Sequence, residues 1–533
     1  MPKLTIDGRD VEVPAGSTIL EAATALGIEI PTMCHTQGRR DRHVSCMVCT
    51  VYQEGADGAR PGPVPACQFP AMDGMVVDAS SEEVRAQRRR ILELILSDHI
   101  GDCEGPCENT CPAHMAIPVM MRCVSENEPA AGLSTVRADI ALPATLGHIC
   151  PEVCEKACRR QQLDSPVAIC RVKRYAGEGM ESDPQSLPLP QAGSDSGKRV
   201  AVVGAGPAGL AAALYLRVLG HACTVFDAGE RPGGALRSDI AEDVLPRAVL
   251  DREIGVIDAL GVEWRPGWRL GTGMSLDDLR QEYDAVFLAL GKREPDELEA
   301  LGIPVARGKA AANVQTLATS IDGVFCGGDM LRQRKLAVRS VADGKIAAHG
   351  IDQHLRGLPI TGEPKRFNSR TGKLAVEEVK ALVPGEARGE DRQQPAAADG
   401  HFSRDEAATE AGRCLHCDCV ARDDCTLRDL ADAYGAKQTR FKGARRPTRP
   451  VLIGDQLVYE NGKCIGCGKC VYLCERAGEK VGLAFTNRGF ELEVTVPLGQ
   501  AINEGVVGIV EQVVRECPTG ALSLRKDYGG IFS

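Results

Sequence analysis

The sequence predicts a multidomain protein of mixed α/β and α+β class, and three observations carry that reading. The chain has 533 residues, a length that suits three or four domains of roughly 150 residues each. Residues 198–237 run through a buried apolar strand, a glycine-rich turn and a helical pattern without a break. On both sides of that stretch cysteines recur in tight groups, 23 in all, with only Cys223 and Cys326 standing alone.

The central stretch is the most specific. Val200 to Val203 reads as a buried parallel strand, and Gly204, Gly206 and Gly209 follow in GxGxxG spacing. Gly204 permits the tight turn, Gly206 lets the backbone approach a pyrophosphate, and Gly209 lets helix and strand pack closely. Ala205, Pro207 and Ala208 complete the turn, whose helix end offers free N–H groups to the phosphates. Asp227 ends the second apolar run, where an acid holds ribose hydroxyls. This predicts a dinucleotide site.

Lys and Arg total 63 against 73 Asp and Glu, a formal net charge of −10. That argues against nucleic acid or an anionic membrane as partner. No apolar run approaches the ~20 residues of a membrane span, and no signal-peptide core follows Met1, so a cytoplasmic location is expected. Disulfides are rare there, and clustered cysteines read as metal ligands. Aromatic residues make up only 4%, so bound groups are expected to help hold the small domains.

Residues 1–80 open with strands expected at Lys3–Ile6 and Val11–Val13, then a helix capped by Ser17 with Glu21 in its first turns. Cys34, Cys46, Cys49 and Cys67 follow, in the words Ile-Pro-Thr-Met-Cys34, Ser-Cys46-Met-Val-Cys49 and Ala-Cys67. The unequal gaps suit a small cluster wrapped by loops better than zinc. This segment resembles the plant-type 2Fe–2S ferredoxin domain at the front of the large iron–sulfur subunit of NADH:quinone oxidoreductase and of iron-only hydrogenases. The resemblance implies a β-grasp fold with those four cysteines as ligands. Met47 stands where that family often has arginine.

Residues 81–182 begin with an amphipathic helix, Val84 to Leu96. Cys103-x3-Cys107-x3-Cys111-Pro and Cys150-Pro-Glu-Val-Cys154-Glu-Lys-Ala-Cys158 follow. These motifs resemble the helical two-cluster domain of the glutamate synthase small subunit and of dihydropyrimidine dehydrogenase. The resemblance implies two 4Fe–4S clusters. Cys107, Cys111, Cys150, Cys154 and Cys158 match its ligands, and Cys103 is grouped with them. Cys123 and Cys170 lie off its standard positions; each either completes a cluster or is a buried free thiol. His99 is read as a cap or surface residue, with ligation as the alternative.

Residues 183–197 read as a Pro/Gly/Ser linker, and 198–356 as the nucleotide domain. After Asp227, residues Gly233, Gly234 and Arg237, the strand ending at Gly291, and the motif ending in Gly328 and Asp329 resemble the Rossmann-like FAD domain of the glutamate synthase small subunit. Ala342 is expected to start a helix whose N-terminal dipole, by that resemblance, sits near the flavin ring. The family inserts a whole NAD(P)H domain between the last two motifs. Here only 38 residues separate Gly291 from Asp329, too few for that domain, since one βαβ unit alone needs about 30.

Residues 357–450 are expected to be a linker with little packed structure up to 402. Ser403 and Glu406 then form a capping box, and Cys414, Cys417, Cys419 and Cys425 a single metal site. Zinc is open on spacing alone, and 4Fe–4S is favoured by resemblance to flavin–ferredoxin fusions. Residues 451–533 resemble a bacterial-type ferredoxin. Cys464, Cys467, Cys470 and Cys517 match one cluster, while Val507, Val510 and Val513 replace the other's cysteines and leave Cys474 without iron.

FAD, one 2Fe–2S and about four 4Fe–4S clusters imply an iron–sulfur flavoprotein that relays electrons between partners. Those partners are an NADH-oxidising flavoprotein and a catalytic subunit that oxidises or reduces substrate. A stand-alone NAD(P)H-dependent reductase of the glutamate synthase small-subunit type is the alternative. A redox-sensing or scaffold protein, with few reducible clusters, is a third.

Overall fold

The computed structural model describes residues 1–37, 44–54, 61–179, 188–332, 336–381, 391–443, 450–452, 456–497 and 505–527. Strand β1 (Lys3–Ile6) pairs antiparallel with β2 (Arg9–Glu12) and parallel with β5 (Val76–Asp78). Strands β3 (Thr50–Gln53) and β4 (Gly62–Pro65) complete a sheet of order β2-β1-β5-β3-β4. Helix α1 (Ile19–Ala25) buries Ile19, Ala22 and Ala23 against this sheet. Its cap is Thr18 rather than the expected Ser17. The Thr18 hydroxyl accepts from the Glu21 N–H, and the Glu21 carboxylate accepts from the Thr18 N–H.

Helix α2 (Glu82–Asp98) overruns the expected helix by two residues at each end, because the Ser81 hydroxyl caps it at Val84 N–H. It ends at His99, which is the C-cap and buried. Helices α3 (Pro106–Thr110), α4 (Ile117–Ser125), α5 (Pro129–Asp139), α6 (Pro143–Ile149) and α7 (Ile169–Glu178) form the helical unit. Proline opens or nearly opens four of them, where its missing N–H has no partner to lose.

The central unit is built on β6 (Arg199–Val203), α8 (Pro207–Val218), β7 (Ala222–Phe226), α9 (Ala235–Ser238), α10 (Arg247–Ala259) and β8 (Glu263–Arg265). It continues with α11 (Leu276–Glu282) and β9 (Ala285–Leu288). The parallel sheet has the order β12-β9-β6-β7-β8, where β12 is Val324–Cys326. Between β9 and β12 lie only α12 (Pro295–Ala300) and a hairpin of β10 (Val305–Ala306) and β11 (Lys309–Ala310). Strand β12 returns directly beside β9, Val324 facing Val286. Helix α13 (Asp329–Arg332) follows, and α14 (Ala337–Leu355) packs along α8. The Glu253 carboxylate of α10 accepts the Ala144 and Thr145 N–H groups at the start of α6, each at 2.8 Å, fastening the helical unit to this one.

Residues 357–402 are not the loose linker expected. Among the described ones, α15 (Val376–Ala381) forms, and Ser369, Leu374, Val379 and Phe402 are buried. The Thr371 N–H donates to Asp102 and the Ser369 N–H to the Cys103 sulfur. The stretch is polar because it crosses the helical unit through side-chain-to-backbone hydrogen bonds rather than an apolar stripe. Of the other linker, residues 188–197 hold no helix or strand and 183–187 lie outside the described residues. Helix α16 (Arg404–Gly412) has the expected Ser403–Glu406 box, and α17 (Thr426–Ala433) follows.

The C-terminal unit has a sheet of β13 (Pro450–Leu452), β14 (Leu457–Glu460) and β17 (Leu522–Leu524). With it lie α18 (Lys469–Ala477), the hairpin of β15 (Ala484–Thr486) and β16 (Glu493–Thr495), and α19 (Val510–Glu516). Among the described residues, no helix is long and apolar enough to cross a membrane.

Candidate redox sites

The nucleotide turn is built as the glycines require. Gly204 has φ +110°, and a side chain on it would strike the Ala289 carbonyl; one on Gly209 would strike the Gly204 carbonyl. A cavity of about 400 Å³ opens beside this turn. Gly204, Gly206, Pro207, Ala208, Asp227, Gly234, Gly328 and Asp329 all line it. Asp227 accepts from Ala205 N–H at 2.6 Å and Gly229 N–H at 2.7 Å, which holds the turn against the end of β7.

Five predicted residues do not line the cavity. Ala205 and Gly209 support the turn by backbone and packing. Gly233 packs against Leu250 and Arg237, and its N–H donates to the Ala205 carbonyl. Ala342 does not start its helix as expected: α14 begins at Ala337, and Ala342 is buried two residues past Ser340, which reaches the cavity. Arg237 is a correction: its guanidinium is tied to Asp251 and to the Pro232 carbonyl and is absent from the lining. The carboxylate of Asp251, on the facing helix α10, draws it away. Sequence reasoning missed Trp268, Arg269, Arg293 and Glu297, which also line the cavity. They come from the loop after β8 and from the short α12 region, where no motif flags them.

Cys34, Cys46, Cys49 and Cys67 converge as expected. The Cys34 thiol is hydrogen-bonded to Cys46 and Cys67, and Cys49 to Cys67; these contacts push the Cys34 and Cys49 thiols down and Cys46 and Cys67 up. All four are buried. In the C-terminal unit, burial and then Cys467, Cys464 and Cys517 push the Cys470 thiol up. Burial and the same neighbours carry Cys467 to about 12. Cys474, Val510 and Val513 pack instead into one apolar core with Val506 and Leu483, while Val507 is exposed.

The remaining cysteines sort differently from their order in the chain. Burial, then the thiols of Cys414, Cys158 and Cys417, push Cys107 up. Burial, Cys417 and Cys158 do the same to Cys414. So Cys107, Cys158, Cys414 and Cys417 face one another. A second quartet forms around α7. The Cys170 thiol is hydrogen-bonded to Cys150 and Cys154, with its pKa raised to about 12. Cys111 feels Cys150 after burial, and the Lys173 ammonium feels all four.

A third group holds Cys103, Cys419 and Cys425. Burial, then Cys419 and Cys103, push Cys425 up to about 12. The predicted single site at 414–425 is therefore corrected: its cysteines divide between two sites. Cys103 is likewise corrected, facing Cys419 rather than the helical unit's quartets. The cause is the path of the 413–425 loop. Arg413 at its start is buried against Glu410 and Asp164, the left-handed His416 (φ 41°) turns it, and Arg122 holds Asp418. The Cys419 N–H then donates to the Cys103 carbonyl.

Cys123 is the other correction. Its thiol, on α4, is pushed up by burial and then by Glu128, with Arg122, Glu126 and Thr135 its other neighbours. Its Cβ lies toward Gly132 of α5, and no cysteine is among the groups that shift its thiol. Cys223 and Cys326 are buried in strands β7 and β12, as small apolar residues.

Three redox-domain families match the chain consecutively. Residues 2–82 match the 2Fe–2S iron–sulfur cluster binding domain. Residues 79–184 match dihydropyrimidine dehydrogenase domain II, a 4Fe–4S cluster domain. Residues 185–344 match the pyridine nucleotide-disulphide oxidoreductases.

Among curated proteins, the chain is similar to NADPH-Fe(3+) oxidoreductase subunit beta of Geobacter sulfurreducens, at 40% identity over 35% of this chain and 28% of that one. It is similar to NADP(+)-dependent formate dehydrogenase subunit beta of Moorella thermoacetica, at 37% identity over 35% and 29%. The glutamate synthase [NADPH] small chain of Mycobacterium tuberculosis is 36% identical over 36% of this chain and 39% of its own. The chain thus spans between a quarter and two fifths of the length of these relatives. The iron–sulfur and flavoprotein-type domains expected from the sequence are present.

Proposed function

We propose that this chain is an electron-transfer subunit in which one FAD is wired to iron–sulfur clusters on both sides. The β-grasp unit would hold a 2Fe–2S cluster on Cys34, Cys46, Cys49 and Cys67. Three 4Fe–4S clusters would be held by Cys107, Cys158, Cys414 and Cys417; by Cys111, Cys150, Cys154 and Cys170; and by Cys464, Cys467, Cys470 and Cys517 in the ferredoxin-type unit. Cys103, Cys419 and Cys425 supply three thiolates to a fifth cluster and leave its fourth position to another donor. His99 is the candidate: it follows Leu96 by three residues, and Leu96 packs in the same apolar cluster as Cys425.

The Rossmann-like unit would hold FAD, its pyrophosphate at Gly204 and Gly206 and its ribose near Asp227. The cavity suits it, because the glycines leave the backbone bare where phosphates must approach. A bound flavin exchanges electrons in pairs or singly, and clusters carry them singly. The protein's own part is to fix those groups in place and exclude water. Burial raises every thiol of the Cys107 and Cys425 groups for which a shift is resolved. Cluster iron reverses that, since a ligating thiol must be deprotonated.

The observation that carries the reading is the sharing of one thiol quartet by Cys107 and Cys158, before the nucleotide unit in sequence, and Cys414 and Cys417, after it. Such a site ties the nucleotide unit to clusters on either flank. Residues 289–323 hold only a short helix and a hairpin, which supports a flavin without its own NAD(P)H domain. The partners by this reading are an NADH-oxidising flavoprotein, docking at the 2Fe–2S unit, and a catalytic subunit that acts on substrate. The test is anaerobic reconstitution of the full chain. About 18 iron atoms per FAD are expected for five such clusters, with dithionite reducing them and NADH or NADPH alone reducing neither flavin nor iron. Rapid reduction by either nucleotide would favour the stand-alone reductase instead.

A further inference from the structure

Helix α7 carries Cys170 and Lys173 three residues apart, on one face. Lys173 is only 3% exposed. Its Nζ donates to the Cys170 sulfur at 3.9 Å. Among the described residues no carboxylate forms an ion pair with it. Two acids lie beside Cys170, Glu152 and Glu155, each with a carboxylate oxygen within 4.8 Å of its sulfur, and Glu155 accepts from the Cys170 N–H at 3.1 Å and from Arg392 at 2.8 Å. The same Cys170 sulfur meets the thiols of Cys150 and Cys154, so the lysine head group lies against a buried group of thiols.

A buried cation whose charge partners are four thiols fits one kind of occupant, a compact anion made by those thiols. A 4Fe–4S core of charge +2 on four thiolates carries −2 in all. Adding one electron makes it −3, with no bond made or broken and no proton moved. A fixed positive charge is attracted more strongly to −3 than to −2, so it favours the reduced form. The cations beside the neighbouring quartet are each paired with a carboxylate: Arg159, hydrogen-bonded to Cys417, with Asp102 at 2.5 Å; Arg160, beside Cys158, with Asp164 at 2.9 Å; and Arg122, beside Cys414, with Asp418 at 2.8 Å.

We propose that Lys173 raises the reduction potential of the cluster held by Cys111, Cys150, Cys154 and Cys170, and so makes it the easier of the two adjoining clusters to reduce. Lys173 touches no reacting atom of a substrate; it is a positioning residue acting through a fixed charge. The inference rests on the cluster reading above.

The test is an EPR-monitored titration of the full chain with dithionite and mediators, comparing wild type with Lys173→Met, Lys173→Gln and Lys173→Arg. Cys111→Ser identifies the signal of this cluster. With either neutral variant, the oxidised-to-reduced ratio of that signal at the wild-type midpoint should rise tenfold or more, about 59 mV for a one-electron couple. With arginine it should stay within about threefold, and the other signals should not move. An unmoved signal in a neutral variant with full iron content would overturn the proposal. So would loss of about four irons from both neutral variants while arginine keeps them, because the charge would then serve assembly rather than potential. Failure of the reading beneath it looks different: Cys111→Ser would leave the iron count of the wild-type chain unchanged.

Discussion

Arg122 of α4 grips Asp418 with two parallel N–H···O hydrogen bonds, Nη1 to Oδ1 at 3.0 Å and Nη2 to Oδ2 at 2.8 Å, and Asp418 is buried. The pair joins residues almost 300 positions apart and holds the loop that delivers Cys414, Cys417, Cys419 and Cys425. Breaking a buried pair from one side strands a charge and costs about 3–5 kcal/mol. Arg122→Ala is expected to release this loop and lower iron by about eight atoms per chain, two clusters' worth. Iron analysis with EPR checks it; retention of all iron would show that the pair does not hold the loop.

If Cys107, Cys158, Cys414 and Cys417 hold one cluster, as proposed, the effects of losing them are not additive. Cys107→Ser and Cys414→Ser should each abolish the same EPR signal, and the double variant should lose no more iron than either single one. Cys419→Ser should abolish a different signal. If Cys414 and Cys419 variants lose one common signal, the division of the 414–425 loop is wrong.

Gly204 at φ +110° and Gly209 beneath it leave no room for a side chain. Gly204→Val forces a β-branched residue into a left-handed conformation against the Ala289 carbonyl, at about 1–2 kcal/mol for the conformation alone. Flavin content after gel filtration should drop more than tenfold while iron at Cys464, Cys467, Cys470 and Cys517 stays, as read from absorbance and EPR.

Glu178 at the end of α7 gives a signed pH dependence. Burial opposes its ionisation, but the His148 hydrogen bond and the Arg174 guanidinium, 3.0 Å away, hold its carboxyl below the usual 4.5. The depressed value means this stability is fully present above the unfolded pKa and is lost as pH falls through the folded one. Pulse proteolysis of the helical unit should therefore show accelerated opening below about pH 4.5. Glu178→Gln should flatten that acid limb and lower stability at neutral pH by about 1.5–3 kcal/mol. An acid limb unchanged in the variant would assign it elsewhere.

In the C-terminal unit Val510 and Val513 lie in one core with Cys474. Substituting cysteine for Val507, Val510 and Val513 together should add about four irons and one EPR signal to the reconstituted chain. An unchanged iron count would show that the apolar core had already reshaped the site.

Sequence by itself determined the kinds of domain in this chain, iron–sulfur and flavoprotein-type. Local rules sufficed there. The strand–turn–helix around Gly204 is contiguous, and Cys34, Cys46, Cys49 and Cys67 lie in one small sheet unit. The ferredoxin quartet was legible because its spacing is local except for Cys517. What only the tertiary structure decided is which distant thiols meet. Cys414 and Cys419 are five residues apart yet face different thiols, because the loop turns at His416 and is pinned between Arg413 and Asp418. Cys170 joins Cys150 and Cys154, while Cys123 is turned away onto α5. Nothing in their spacing separates these two, because helix packing sets the direction each thiol faces. The same holds for Arg237, drawn to Asp251 instead of the cavity, and for Lys173, whose burial among thiols depends on how α7 lies against the Cys150–Cys154 turn.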